Sequence, residues 1–176
     1  MRSASQFILL IGLVTPQVAC GQTPSWSMLK QTIRATYPDV RHVSTDSLAA
    51  WQASSARAPL LLDIRAEDEF AVSHLRGARR LDPDTHNLAM LLDLPPDTPL
   101  VTYCSVGYRS SAMAQRLAEA GFTNVVNLEG SLFAWANEGR PVYRDDRAVR
   151  QVHPYDRVWG RFLKKELHAY TATPKR

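Results

Sequence analysis

Residues 99–121 read "PLVTYCSVGYRSSAMAQRLAEAG". The run from Leu100 to Tyr103 is too short for a helix and shows no wet face, which predicts a strand buried on both sides. Near Arg109 or Ser110 the period changes. Met113, Leu117 and Ala120 then share one helical face, Arg116 and Glu119 look outward, and Gly121 supplies the stop. Cys104 sits at the corner, followed by Ser105, Val106, Gly107 and Tyr108. A buried cysteine is usually a small hydrophobe. One at a strand-to-helix corner, facing backbone N–H groups, is more often a nucleophile.

The alternation extends in both directions. "PLLLDIR" (59–65) and "NVVNLE" (124–129) are further apolar strands, and "GARRLD" (77–82) is a short one. "AEDEFAVSHL" (66–75), "HNLAMLLDL" (86–94) and "SLFAWANEG" (131–139) read as helices. Upstream, "SWSMLKQTIRATYPDV" (25–40) places Met28, Ile33 and Tyr37 ahead of Pro38, and "STDSLAAWQAS" (44–54) offers an N-cap at Ser44 or Thr45. Apolar strands alternating with amphipathic helices predict an α/β fold over 41–143: a small parallel sheet with helices on both faces.

In open parallel sheets, ligands gather at the carboxyl ends of the strands, where Cys104 falls. The short loop must curl, and Gly107 permits backbone angles that other residues resist. Such a curl turns N–H groups inward into an anion cup that the helix N-terminus reinforces. A cysteine there should have a lowered pKa, and Arg109 adds a fixed charge and a fork suited to an oxyanion. The bland reading is a structural cysteine beside a surface arginine. Placement between strand and helix favours chemistry.

These residues carry a resemblance. "LLLDIRAEDEFAVSHLRGA" (60–78) resembles a segment of the rhodanese-like sulfurtransferases, with Asp63, Arg65, Glu69, Phe70, His74, Gly77 and Ala78 in place. "YCSVGYRS" (103–110) resembles that family's active-site loop. "GFTNVVNLEGSLFAWANEGRPV" (121–142) resembles its closing strand and helix, with Leu128, Glu129, Gly130 and Trp135 in place. Ser73 stands where glycine is usual, and Ser131 where a second glycine is common. The resemblance covers roughly 58–142 and implies a single-domain, exported bacterial rhodanese. It implies that Cys104 takes sulfur from a small anionic donor such as thiosulfate, holds it as a persulfide, and passes it to a thiol or cyanide. Ser105, Val106, Gly107, Tyr108 and Arg109 would bind substrate, Asp63 and Arg65 would support the site, and no cofactor or metal is implied. His74 and Trp135 read as structural. Tyr108 is either a pocket wall or solvent-facing, and His153 and Tyr155 have no motif to give them chemistry.

Two alternatives stand beside this reading. One is a persulfide carrier or binding module without free turnover. The other is an oxyanion phosphatase or arsenate reductase. Phosphatase loops of similar type are a residue longer and usually place His before the cysteine, where this chain has Tyr103.

Composition bounds the rest. The 176 residues carry a formal charge of +4, with Lys and Arg concentrated in 140–176. No aromatic-interleaved basic stripe or nucleic-acid motif accompanies them, so they read as a solvated tail and nucleic-acid binding is not expected. The 2 cysteines, Cys20 and Cys104, make no disulfide framework or zinc pattern. Residues 1–21 combine Arg2, an apolar run from Phe7 to Val14, Pro16 and small residues, which reads as an export signal. Val18-Ala19-Cys20 resembles a lipoprotein box, except that Gln17 replaces a leucine-like residue. Cys20 is therefore a lipidation candidate that would anchor the protein at a membrane, with simple cleavage as the competitor. Residues 22–40 read as tether and helix, and 144–176 as a basic extension with a helix over Val158, Phe162 and Leu163, docked on the domain.

Overall fold

The three apolar runs form the centre of the sheet. In the computed structural model, which describes residues 25–54, 58–84, 88, 91 and 93–172, the elements are α1 (Trp26–Thr36), β1 (His42–Val43), α2 (Thr45–Ala53), β2 (Leu60–Asp63), α3 (Glu67–Val72), β3 (Arg79–Arg80), β4 (Leu100–Tyr103), α4 (Tyr108–Glu119), β5 (Val125–Leu128), α5 (Ser131–Asn137), β6 (Val142–Arg144) and β7 (Arg147–Val149). Five strands make one parallel sheet in the order β1-β5-β4-β2-β3, and β6 and β7 form a separate antiparallel hairpin. This is the expected α/β architecture. Residues 1–21, including Cys20, lie outside the described residues, as does most of the helix expected at 86–94.

The pleat sorts the core into two layers. Leu61, Val101, Tyr103 and Leu128 face one way and pack against Leu29 and Ile33 of α1, Leu48 of α2, and Leu132 and Phe133 of α5. Leu62, Leu100 and Val125 face the other way, against Met113, Ala114 and Leu117 of α4. Each side of the sheet thus has its own apolar cluster, which is why the strands carry no polar alternation.

Three elements differ from expectation. In α1 the buried face is Leu29 and Ile33, while Met28 is exposed. Helix α4 begins at Tyr108, with Gly107 as its N-cap at φ +113°, so Tyr108 and Arg109 belong to its first turn and not to the loop. The extension forms two short 3-10 turns, Trp159–Phe162 and Lys165–Leu167, in place of one helix. The cause is the docking itself. Asn137 Nδ2 donates to the Phe162 carbonyl at 2.7 Å and Asn137 Oδ1 accepts from Lys164 N at 2.8 Å, removing groups that a continuous helix would use. Phe162, Leu163 and Leu167 are buried in the α1/α5 layer.

Ile33 links this packing to the site, since its Cδ1 would lie 3.6 Å from a Cβ built on Gly107. Ile33→Ala should therefore destabilise the protein by about 2–4 kcal/mol in urea unfolding, the range for a truncated buried aliphatic. A change of a few tenths would show that α1 is an appendage.

Candidate active site

Strand β4 delivers Cys104 to the carboxyl edge of the sheet, and α5 fixes the turn that follows. Leu132 N donates to the Cys104 carbonyl at 3.1 Å and Phe133 N to the Ser105 carbonyl at 3.0 Å. Ser131 holds the approach: its Oγ accepts from Cys104 N at 3.1 Å and donates to the Leu128 carbonyl at 3.1 Å. Ser131 lies at φ +52°, a conformation that favours glycine. The side-chain bonds at both ends explain how serine is accommodated there.

The loop wraps the sulfur. Gly107 N donates to Cys104 Sγ at 3.1 Å, and the left-handed backbone at Gly107 turns the chain from the loop into α4. Cys104 is 1% exposed. That burial pushes the thiol up, but the Arg109 charge, the Ser110 side-chain and backbone groups, and the Gly107 N–H outweigh it, so the pKa is lowered.

Arg109 is arranged differently from the expected open fork. Its Nη1 and Nη2 grip the two carboxylate oxygens of Glu69 at 2.8 and 2.9 Å, and Nη2 also reaches Ser105 Oγ at 3.0 Å. Ser105 Oγ donates to Glu69 Oε1 at 2.9 Å, and Ala66 N to Oε2 at 3.1 Å. Burial pushes the Glu69 carboxyl up, but these contacts with Arg109, aided by Arg65 and Ala66, hold it below the usual range. The guanidinium is thus a fixed cation beside the sulfur, with its fork already occupied. Its other face lies over the Tyr155 ring, 4.8 Å from the centroid.

A pocket of about 190 Å³ opens over the cysteine, lined by Cys104, Ser105, Val106, Tyr108, Arg109, Tyr155 and Trp159. The expected residues Cys104 to Arg109 therefore converge, with Gly107 contributing its N–H. Tyr108 lines the pocket, is partly exposed, and meets Tyr37 edge-on at 5.5 Å. Asp63 and Arg65 form a separate, fully buried pair away from the pocket. Arg65 Nε and Nη2 bind the carboxylate at 2.8 and 2.6 Å, and Nη2 also donates to the Ser73 carbonyl. They brace the end of β2. His74 stacks on Phe70 and bonds its carbonyl, and Trp135 is buried with Nε1 on the Pro141 carbonyl.

Sequence reasoning missed Tyr155 and Trp159, which reach the pocket from the extension, and the pairing of Glu69 with Arg109. Asp156, whose Oδ1 accepts from Val158 N and Trp159 N, was the available sign of an ordered turn there.

The family model described as Rhodanese-like domain matches residues 44–138, and the chain belongs to that family. Over 96 residues it is 35% identical to the thiosulfate sulfurtransferase GlpE of Shewanella oneidensis, covering 54% of this chain and 91% of that protein. It is 34% identical over 88 residues, 49% of this chain, to the probable adenylyltransferase/sulfurtransferase MoeZ of Mycobacterium tuberculosis, but spans 22% of that protein's length. The solved structure of a thiosulfate sulfurtransferase from Pseudomonas aeruginosa shares the fold, with TM-score 0.58 and 20% identity over 80% of this chain and 26% of that one.

Substitutions at two positions probe this geometry. Gly107→Ala places a Cβ at φ +113°, 3.4 Å from Asn127 Nδ2, and should cost about 1–3 kcal/mol while slowing Cys104 alkylation. Alkylation of Cys104 by iodoacetamide should reach half its limiting rate at a pH below that of free cysteine. Arg109→Met should move that midpoint up, because it removes the cation and exposes the sulfur to the Glu69 charge, whereas Arg109→Lys should retain most of the effect. An unmoved midpoint in folded Arg109→Met would mean that the charge does not act on the sulfur.

Proposed function

We propose that the protein is a rhodanese-type sulfurtransferase that works through a persulfide on Cys104. The observation that carries this reading is a buried sulfur held at 3.1 Å by the Gly107 N–H, beside the Arg109 cation and at the floor of an open pocket. The Cys104 thiolate attacks the outer sulfur of thiosulfate. The S–S bond breaks, sulfite leaves with the electron pair, and Cys104 keeps one sulfur atom as a persulfide. The loop N–H and the nearby cation stabilise its charge. An acceptor thiolate or cyanide then attacks the terminal sulfur, and Cys104 departs as the thiolate. No oxidant enters, and no separate base is needed when the thiol is already ionised.

The paired state of Arg109 also weighs against an oxyanion phosphatase or arsenate reductase. A tetrahedral dianion calls for a guanidinium free to bind it bidentately, and Glu69 already takes both arms. The names of the relatives support sulfur transfer, and the apolar run at residues 7–14 ahead of Cys20 adds export to the proposal. A thiolate outside the reducing cytosol is open to oxidation, and a persulfide resting state would shield it.

Incubation with thiosulfate should add one sulfur atom at Cys104 in the intact and peptide masses. Cyanide should remove it, and Cys104→Ser should show no gain. Persulfide formation without steady thiosulfate:cyanide turnover would define a carrier. No gain from thiosulfate or from a persulfide donor, with the fold intact, would overturn the reading.

A further inference from the structure

The pocket wall opposite the loop comes from outside residues 44–138 of the family match. The segment carrying it is firmly built. Ser73 Oγ donates to the Gln151 carbonyl at 2.6 Å, Val152 N donates to the Leu167 carbonyl at 2.7 Å, and the Asn137 amide binds Phe162 and Lys164. Phe162 packs edge-on against Trp26 of α1 and beside Trp159. Gly160 fits where a Cβ would come within 3.0 Å of Pro154. At the tip, Tyr155 sits at φ +66°, with its N–H on His153 Nδ1 at 3.0 Å. A non-glycine residue in that region is strained, and strain held by surrounding contacts is a mark of functional placement. From this position the Tyr155 ring lies over Arg109, and Tyr155 and Trp159 both line the pocket above Cys104.

This wall changes what the pocket can hold. Three aromatic side chains, Tyr108, Tyr155 and Trp159, surround it, and its cation is shared with Glu69 and covered by Tyr155. Its volume of about 190 Å³ exceeds the roughly 150 Å³ of an apolar cavity that accepts benzene. We propose that Tyr155 and Trp159 are specificity-determining residues that select, as sulfur acceptor, a small thiol with a phenyl-sized apolar body. The proposal rests on the sulfurtransferase reading for its chemistry. The acceptor thiolate attacks the terminal sulfur of the Cys104 persulfide, the sulfur–sulfur bond breaks, and Cys104 leaves with the electron pair. The product is the acceptor's own persulfide. The aromatic body stacks between Trp159 and Tyr155 while the sulfur reaches the floor.

The test separates recognition from sulfur transfer. Benzyl methanethiosulfonate and 2-hydroxyethyl methanethiosulfonate each undergo attack by the Cys104 thiolate at the sulfenyl sulfur, giving a mixed disulfide and methanesulfinate. Labelling at Cys104 of the full chain is followed by peptide mass, and the ratio of the two rates is divided by the ratio for free cysteine. The benzyl reagent should be preferred by about tenfold or more, as burial of a phenyl group implies. The preference should fall toward the free-cysteine value in Trp159→Ala and in Tyr155→Ala, and Trp159→Phe should keep most of it. Persulfidated protein should show the same order with benzyl mercaptan and 2-mercaptoethanol as acceptors. A normalised ratio near one, or a preference unchanged in folded Trp159→Ala and Tyr155→Ala, would overturn the proposal. Labelling needs no sulfane sulfur, so a failure to form a persulfide from thiosulfate would count against the enzyme reading alone.

Discussion

The Glu69 carboxylate is buried to 1% exposure, and the form of the active loop follows from how it is satisfied. A buried carboxylate must find partners or take up a proton. Glu69 finds Ala66 N at the start of α3, Ser105 Oγ in the loop, and both arms of Arg109 in α4. Two stretches far apart in sequence, Ala66–Glu69 and Ser105–Arg109, are thereby fixed to one group. Removing one partner of such a pair leaves the other buried and uncompensated, a cost of about 3–5 kcal/mol in general. The sign with pH follows from the lowered pKa. The carboxylate contributes its stability above the usual carboxylate range, and that contribution is lost as pH falls through its folded value.

That anchor also decides the electrostatics of the sulfur. An arginine free to move would bind any anion entering the pocket and shield the thiolate only part of the time. Held by Glu69 and covered by Tyr155, Arg109 is a stationary charge that favours the thiolate before substrate arrives. The remaining support is short-range: the Gly107 N–H on the sulfur, and α5 amides on the carbonyls of Cys104 and Ser105. Strand end, helix start and loop therefore act as one preorganised unit.

Much of this was legible in the sequence because it is local. The apolar runs of β2, β4 and β5 had no wet face, the period of α4 was clear, and Cys104 and Gly107 sit at the junction that parallel sheets use for ligands. What was not legible depends on distance or brevity. His42–Val43 and the β6–β7 hairpin are too short and too polar to show a period. Glu69 and Arg109 lie 40 residues apart, and nothing near either one names the other. The extension looked helical because its apolar residues recur at helical spacing, yet Asn137 draws off its backbone groups and docks it as turns. The departures at Ser73 and Ser131 also gained meaning only in three dimensions. One hydroxyl ties down the extension at Gln151, and the other holds the backbone of Cys104.

These placements imply a direction for the chemistry. With both arms of Arg109 held by Glu69, the guanidinium has no free fork to set against an incoming dianion. On the proposed chemistry, attraction to the donor would be modest, and its selection would rest on the reactivity of the sulfur more than on charge. In the proposed reaction, the persulfide left behind by sulfite would be met by the Gly107 N–H and the nearby guanidinium. The aromatic wall can then contribute fully to whatever binds next, because its apolar surface gains most from a body that brings little charge with it. An acceptor held in this way would present its thiol at the floor of the pocket, where the sulfur of Cys104 is itself buried. The extension lies outside residues 44–138 of the family match, yet it supplies Tyr155 and Trp159 to the pocket above Cys104.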